Sequence, residues 1–179
     1  SSRPVGMFDT VTMQKLKDIP VSDGPWNIMF EPFTGKILAT SHSGSITLIE
    51  PKEGTVVGTI DVGGELEQPQ SDGQGKLYIP IEDQRKLAVV DLKTMKVVTK
   101  YDLGEKGNIP VGLALDNKNH LLFVMCHSTN CVVMNTDGKI LDYLPIGGKG
   151  DRGIFNPNTL EVYSAQGDGT LTIIKDKET

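Results

Sequence analysis

The sequence lacks any long apolar run. No stretch approaches the roughly 18 consecutive apolar residues that a transmembrane helix requires. The first residues also lack the charged and apolar segments of a secretion signal. We therefore predict no membrane span, and we expect that any export signal was removed or never included.

Positive charge is scarce as well. The 179 residues include 18 Lys and Arg against 23 Asp and Glu, which gives a net charge of −5. The lysines are scattered, whereas broad nucleic-acid binding depends on clustered Lys and Arg that neutralise phosphates. We predict that nucleic acid is not a partner.

Helical periodicity and catalytic motifs are missing too. No segment repeats apolar residues at i, i+3, i+4 and i+7 for long enough to predict a helix. No G-x-S-x-G motif is present, and nothing identifies a carboxylate that would orient His42 beside its flanking serines. The glycines around Lys149 precede a strand pattern, whereas a phosphate loop leads into a helix. The residues identify no catalytic group and no cofactor.

A sequence motif recurs along the chain with a period of about 41 residues, and successive copies begin 40 to 44 residues apart. Periods of 40 to 50 residues in a strand-rich sequence are typical of propeller blades. The apolar strand of this motif occurs at Ile46–Glu50, Leu87–Asp91, Cys131–Asn135 and Leu171–Lys175, with a weaker copy at Val5–Asp9.

Each unit can be divided into four strands. In the second unit, the glycine-rich turn 72–75 separates an inner strand at 67–71 from an apolar strand at 76–81. The middle strands are almost continuously apolar, which indicates burial on both faces. Polar and apolar residues alternate over 96–103, which is typical of an outer strand with one face in solvent. We predict a single all-β domain, a β-propeller of four-stranded antiparallel blades with about four blades present. The units are 5–22 (partial), 24–63, 65–104, 109–147 and 151–175 (partial).

Four motifs resemble the YVTN-type (YncE-like) β-propeller family: Gly24-Pro25, 91–98, 110–116 and 167–174. The similarity extends from about residue 5 to residue 175. It departs from the family pattern at 67–71, which is more polar than usual. The resemblance implies that the chain is part of a seven-bladed ring, and it implies export to the periplasm or the extracellular space.

About four blades do not close a seven-bladed ring, and an open ring exposes strand edges and blade faces. Three arrangements remain open at this point. The chain is a fragment of a longer protein, or two chains complete one ring through self-association, or the two end segments share one blade in a small closed ring.

Five residues are candidates for ligand binding at one rim of the ring. His42 and His127 occupy the same turn in their units, and Trp26 lies in a loop between units. Arg152 occupies the equivalent position in the fourth unit, and Gln68 lies near it in the second. Rims and channel mouths are where propellers form concave sites. The alternative interpretations are polar turn residues for the histidines and a core aromatic for Trp26.

Cys126 and Cys131 flank one turn, and two interpretations remain open for them. A hairpin would bring them face to face, because Cα atoms of a non-hydrogen-bonded pair lie about 4.5 Å apart, close to the lower limit for a disulfide. Otherwise they are two buried thiols. With His127 they supply too few ligands for a metal site, and their spacing matches no zinc or haem motif.

Two classes of function follow. The first is a non-catalytic binding or scaffold propeller, exported, that recognises a protein, a peptide or a surface polymer through its rim loops. The alternative is a metal-dependent, lactonase-like hydrolase that uses the central channel. Glu67, Asn27 and Asp151 lie near the starts of inner strands and are the candidate ligands for its divalent cation.

Overall fold

The computed structural model describes residues 3–22 and 24–175, and nearly all regular structure within them is β. The single helical element of these residues is a three-residue 3-10 turn at Glu82–Gln84, so no helix is long enough to cross a membrane. The strands are β1 (Val5–Phe8), β2 (Lys15–Ile19), β3 (Asn27–Glu31), β4 (Lys36–Thr40), β5 (Ser45–Glu50), β6 (Thr55–Asp61), β7 (Gln70–Ser71), β8 (Lys76–Ile81), β9 (Lys86–Asp91), β10 (Lys96–Asp102), β11 (Pro110–Asp116), β12 (Leu121–Cys126), β13 (Asn130–Asn135), β14 (Ile140–Pro145), β15 (Gly150–Asn156), β16 (Glu161–Gln166) and β17 (Leu171–Lys175).

The strands form antiparallel sheets that follow one another along the chain. β3–β6, β7–β10 and β11–β14 are four-stranded sheets, with each strand paired to its neighbour in sequence. β15–β17 form a three-stranded sheet, and β1 and β2 form a two-stranded one. The predicted all-β propeller of four-stranded antiparallel blades is confirmed.

Neighbouring sheets are held together by shared apolar clusters. Leu38 and Ile46 of the first four-stranded sheet pack with Leu77 and Ile79 of the second. Similar clusters join the second sheet to the third, the third to β15–β17, and β1–β2 to the first. Full burial of one such side chain contributes about 1.5–3 kcal/mol. The core is therefore a series of interfaces between sheets, as the apolar middle strands predicted.

The two ends of this series keep exposed apolar faces. Phe8 is 57% exposed on β1, and Leu171 and Ile173 are 59% and 54% exposed on β17. No apolar cluster among the described residues joins β1–β2 to β15–β17. The two end segments form separate sheets, so the arrangement in which they share one blade is not the one observed.

The inner strand of the second four-stranded sheet is shorter than the sequence predicts. Strand β7 contains two residues, preceded by an isolated bridge between Leu66 and Ile81. The backbone between Leu66 and β7 turns toward the next sheet, where the N–H of Gln68 donates to the carbonyl of Val111 at 3.2 Å. The polar segment that departs from the family pattern thus links two sheets.

The disulfide between Cys126 and Cys131 that the sequence left open is not formed. Met125, not Cys126, lies opposite Cys131 in the β12–β13 pair. Because side chains alternate along a strand, the two sulfurs lie on opposite faces of one sheet, and Cys126 packs toward the second sheet while Cys131 packs toward β15–β17. Both residues are fully buried thiols.

Thiol labelling checks this arrangement. Burial raises the pKa of Cys126 to about 12 and also raises the pKa of Cys131. Since the thiolate is the reactive form, we expect both cysteines to react with iodoacetamide roughly 100-fold or more slowly in the native protein than in urea. Mass spectrometry should find two labels per chain after unfolding without reductant. Fast native labelling, or no label after unfolding, would contradict the structure.

Candidate functional site

Three loop segments meet on one rim between the first two four-stranded sheets. Trp26 directly precedes β3, His42 lies in the turn from β4 to β5, and Glu67 lies in the segment between β6 and β7. Trp26 and Glu67 are 41 residues apart, which is one repeat. Equivalent positions of adjacent blades are therefore neighbours here. We call Trp26, His42 and Glu67 the rim cluster.

The carboxylate of Glu67 is the centre of the rim cluster. The indole Nε1 of Trp26 donates to Glu67 Oε2 at 3.1 Å, and His42 Nε2 lies 2.9 Å from Glu67 Oε1. The indole and imidazole rings also pack against each other, with centroids 4.4 Å apart and planes inclined by 48°. Both carboxylate oxygens are thus fixed by side chains of the neighbouring sheet.

Glu67 is unusual for a residue that can carry a charge, because its side chain is only 5% exposed. Burial raises the pKa of Glu67, and the nearby carboxylate of Glu82 raises it further. The hydrogen bonds from Trp26 and His42 oppose this effect, but the pKa stays above its ordinary value. Buried carboxyl groups with raised pKa values concentrate at functional sites, which makes the rim cluster the leading candidate.

Replacing Glu67 by glutamine tests this electrostatic description. Since the pKa is raised in the folded state, ionisation of Glu67 opposes folding as the pH rises past the ordinary carboxyl range. The amide of Glu67→Gln can still accept from Trp26, so we expect the free energy of unfolding at pH 7.5, measured with EDTA, to rise by roughly 0.5–2 kcal/mol. The gain should vanish in acid. Glu105→Gln, on an exposed loop of the same rim, is the matched control.

Gln68 and Arg152 lie beside the rim cluster, where the inner strands converge. Gln68 Oε1 accepts from the N–H of Gly153 at 3.0 Å and of Leu113 at 3.3 Å, and its Nε2 donates to the Gly153 carbonyl at 2.9 Å. One side chain therefore joins three consecutive sheets. The guanidinium of Arg152 reaches across to donate to Asn27 Oδ1 on β3. A depression of about 320 Å³ between Gln68 and Arg152 opens at this point.

The five residues predicted to bind ligand are thus only partly brought together. Trp26 and His42 are in contact, and Gln68 and Arg152 line one depression. His127 occupies the equivalent turn two sheets away and is exposed, and within the part of the chain that the structure describes no side-chain contact joins it to the rim cluster. Ligand binding at all five residues remains a prediction.

Glu82 was not predicted as a functional residue, and Glu67 was predicted only as a cation ligand in the channel, not as a member of the rim site. The repeat period could have identified both, because Glu67 follows Trp26 by one repeat and Glu82 lies in the turn that corresponds to the turn of His42.

The other two candidate channel ligands, Asn27 and Asp151, lie outside the rim cluster. Asn27 is bonded to Arg152, and Asp151 is exposed with its carboxylate 3.7 Å from the same guanidinium.

A second depression of about 610 Å³ lies on the opposite rim, between the second and third four-stranded sheets. Amides and charged groups line most of it, Tyr78 is 2% exposed, and the other ring in the lining is the imidazole of the exposed His120. Burial raises the pKa of Tyr78 to about 12, so the phenol stays neutral. Among its described lining residues this pocket has no exposed Phe, Tyr or Trp side chain, in contrast to the rim with Trp26.

Comparison with known proteins supports the fold and leaves the function open. No protein-family model matches the sequence, and no curated protein matches it. In contrast, 1274 chains of solved structures match, so the fold is widespread and does not specify one function. One of them is a chain of the hydrazine synthase of Kuenenia stuttgartiensis, with a TM-score of 0.81 and 17% sequence identity. The match covers 97% of this chain and 65% of that chain, and at this identity it shows the fold alone.

Proposed function

We propose that this protein is a non-catalytic binding module that recognises a protein, a peptide or a surface polymer through the rim carrying Trp26. The observation that supports this most directly is the placement of Trp26, the one tryptophan of the chain, whose side chain is 55% exposed. Exposed tryptophans in fixed geometry are frequent anchors of binding interfaces.

The polar groups around Trp26 suit recognition. Its indole is oriented by Glu67 and His42, so the exposed ring face is held in one position before a ligand arrives. Pre-organisation of this kind lowers the entropic cost of binding. Arg152, beside the rim cluster, adds a guanidinium for carboxylate groups of a ligand.

The channel hydrolase receives less support. Its candidate ligands do not converge, because Asn27 is bonded to Arg152 and Glu67 faces Trp26 and His42 at the rim. The resemblance to exported propellers supports a role in the periplasm or outside the cell, and we include that location in the proposal.

Selection from a phage-displayed random peptide library and a glycan array tests the proposal. We expect a ligand whose affinity falls at least tenfold for Trp26→Ala, which is about 1.4 kcal/mol or more. Phe33→Ala is the matched control, because Phe33 is a 40% exposed aromatic on the opposite rim. No ligand from either library, or ligands equally sensitive to both variants, would contradict the proposal. Turnover of ester or lactone substrates would favour the hydrolase instead.

A further inference from the structure

We propose that His42, Glu67 and Glu82 bind one divalent transition-metal ion of the Zn²⁺ class. One ligand atom of each residue, an imidazole nitrogen and two carboxylate oxygens, lies within 4.8 Å of the others. Ligand atoms about 2.1 Å from one tetrahedral ion lie about 3.4 Å apart, so a movement of at most about 1.4 Å brings all three into range. Glu82 is partly exposed in a short 3-10 turn and can supply that movement.

The buried ligand of this site is already oriented. Trp26 holds Glu67 Oε2 through its indole N–H, which directs Oε1 toward His42. His42 Nε2 and Glu67 Oε1 share a hydrogen bond of 2.9 Å, so a bound ion would replace the shared proton and separate the two atoms only to about 3.4 Å, the distance for tetrahedral bonds of about 2.1 Å. Trp26 therefore has the position of an outer hydrogen-bond partner, the kind that fixes metal-ligating carboxylates.

The charge of the site favours a cation. Two carboxylates share it with one imidazole, and within the described ranges 3–22 and 24–175 the single ion-pair partner of Glu67 is His42. The neighbouring Asp83 adds negative charge, although its Oδ1 accepts a hydrogen bond from the N–H of Glu65 at 2.8 Å. A bound divalent ion would compensate the charge that Glu67 carries in a buried position.

The ligand set selects the class of metal. One imidazole with two carboxylates suits Zn²⁺ and related transition ions, whereas Ca²⁺ requires six to eight oxygens. Three protein ligands leave at least one coordination position open. This position opens toward the rim, because the side chain of His42 is 40% exposed. A carboxylate of a bound peptide or polymer would fit there, but the affinity for metal does not depend on the proposed function and is measurable without any such ligand.

Calorimetric titration of the EDTA-treated protein with ZnCl₂, MnCl₂ and CaCl₂ at pH 7.5 tests the site. We expect one Zn²⁺ per chain, tighter than Mn²⁺ and at least tenfold tighter than Ca²⁺. His42→Gln and Glu82→Gln should each weaken Zn²⁺ binding at least tenfold, and Glu67→Gln should do so while the protein stays folded. Zn²⁺ should also change the emission of Trp26, which touches His42.

The controls use the other copies of the same features. His127→Gln removes the histidine of the equivalent turn, and Glu105→Gln removes an exposed acid of the same rim, so neither should alter Zn²⁺ binding. Failure of the wild type to bind Zn²⁺, or equal losses in the control variants, would overturn the proposal. Ca²⁺ binding that ignores His42 would overturn it as well. These results leave the peptide and glycan test of the proposed function unaffected.

Discussion

Gly112→Ala is expected to lower the free energy of unfolding by about 3 kcal/mol. A Cβ at Gly112 would lie 2.2 Å from the carbonyl oxygen of Asp151 and 3.1 Å from the carbonyl carbons of Asp151 and Arg152. These are backbone atoms of β15, so they cannot rotate away as a side chain would. The third four-stranded sheet and β15–β17 would have to separate along their inner strands, and Arg152 would shift with them.

The matched control is Gly58→Ala on the outer strand β6. No atom lies within 4 Å of a Cβ at Gly58, and its φ is not in the left-handed region. We expect this variant to be as stable as the wild type or slightly more stable, because alanine loses less entropy on folding. Urea unfolding followed by circular dichroism measures both. A cost for Gly112→Ala no larger than that of Gly58→Ala would show that the sheets do not approach as described.

Glu31→Ala is expected to cost about 3 kcal/mol, because it leaves four part-buried donors without their partner. Glu31 is fully buried at the end of β3. It accepts from the N–H groups of Phe33 at 3.0 Å and Thr34 at 2.7 Å, from the hydroxyl of Thr34 at 2.7 Å, and from Ser71 at 2.7 Å. The hydrogen bond to Ser71 connects the first four-stranded sheet to the second.

Asp91→Ala is the control for Glu31→Ala. Asp91 accepts from two N–H groups of a similar turn but lies in a more exposed position, where water can replace its carboxylate.

Glu31 also predicts the response of stability to acid. Burial alone would raise the pKa of Glu31, but its hydrogen bonds outweigh that effect and hold the pKa below its ordinary value. The stabilising contribution of Glu31 is therefore complete above the carboxyl pKa of the unfolded chain, and it is lost as the pH falls through the folded value. Unfolding free energies measured from pH 7 to pH 3 should fall more steeply for the wild type than for Glu31→Gln. Parallel curves would contradict this assignment.

The propeller was predictable from sequence because its determinants are local and repeated. A period near 41 residues set the number of units, glycine turns such as 72–75 separated the strands, and the apolar middle strands indicated burial on both faces. The rim was predictable for the same reason, because the loops containing Trp26 and His42 recur at one end of every unit.

Side-chain contacts between sheets were predictable only in part. Glu67 reads as a polar residue of an inner strand, yet neighbouring blades place it against Trp26 and His42. Cys126 and Cys131 flank one turn, but the register of β12 and β13 directs their sulfurs to opposite faces. The amide of Gln68 joins three sheets through pairings between residues up to 85 positions apart. Such contacts depend on how one sheet is rotated against the next, which no single repeat encodes.

The most direct test of the central claim, that adjacent repeats assemble the rim cluster, is nuclear Overhauser spectroscopy on the indole of Trp26. The chain has one tryptophan, so its indole resonances are unambiguous. With ring centroids 4.4 Å apart, we expect cross-peaks between the indole protons and the imidazole protons of His42. The indole N–H resonance should also move in Glu67→Gln and stay in place in Glu105→Gln. If assigned spectra show no Trp26–His42 cross-peak and an indole N–H that is indifferent to Glu67→Gln, the rim cluster does not exist as described.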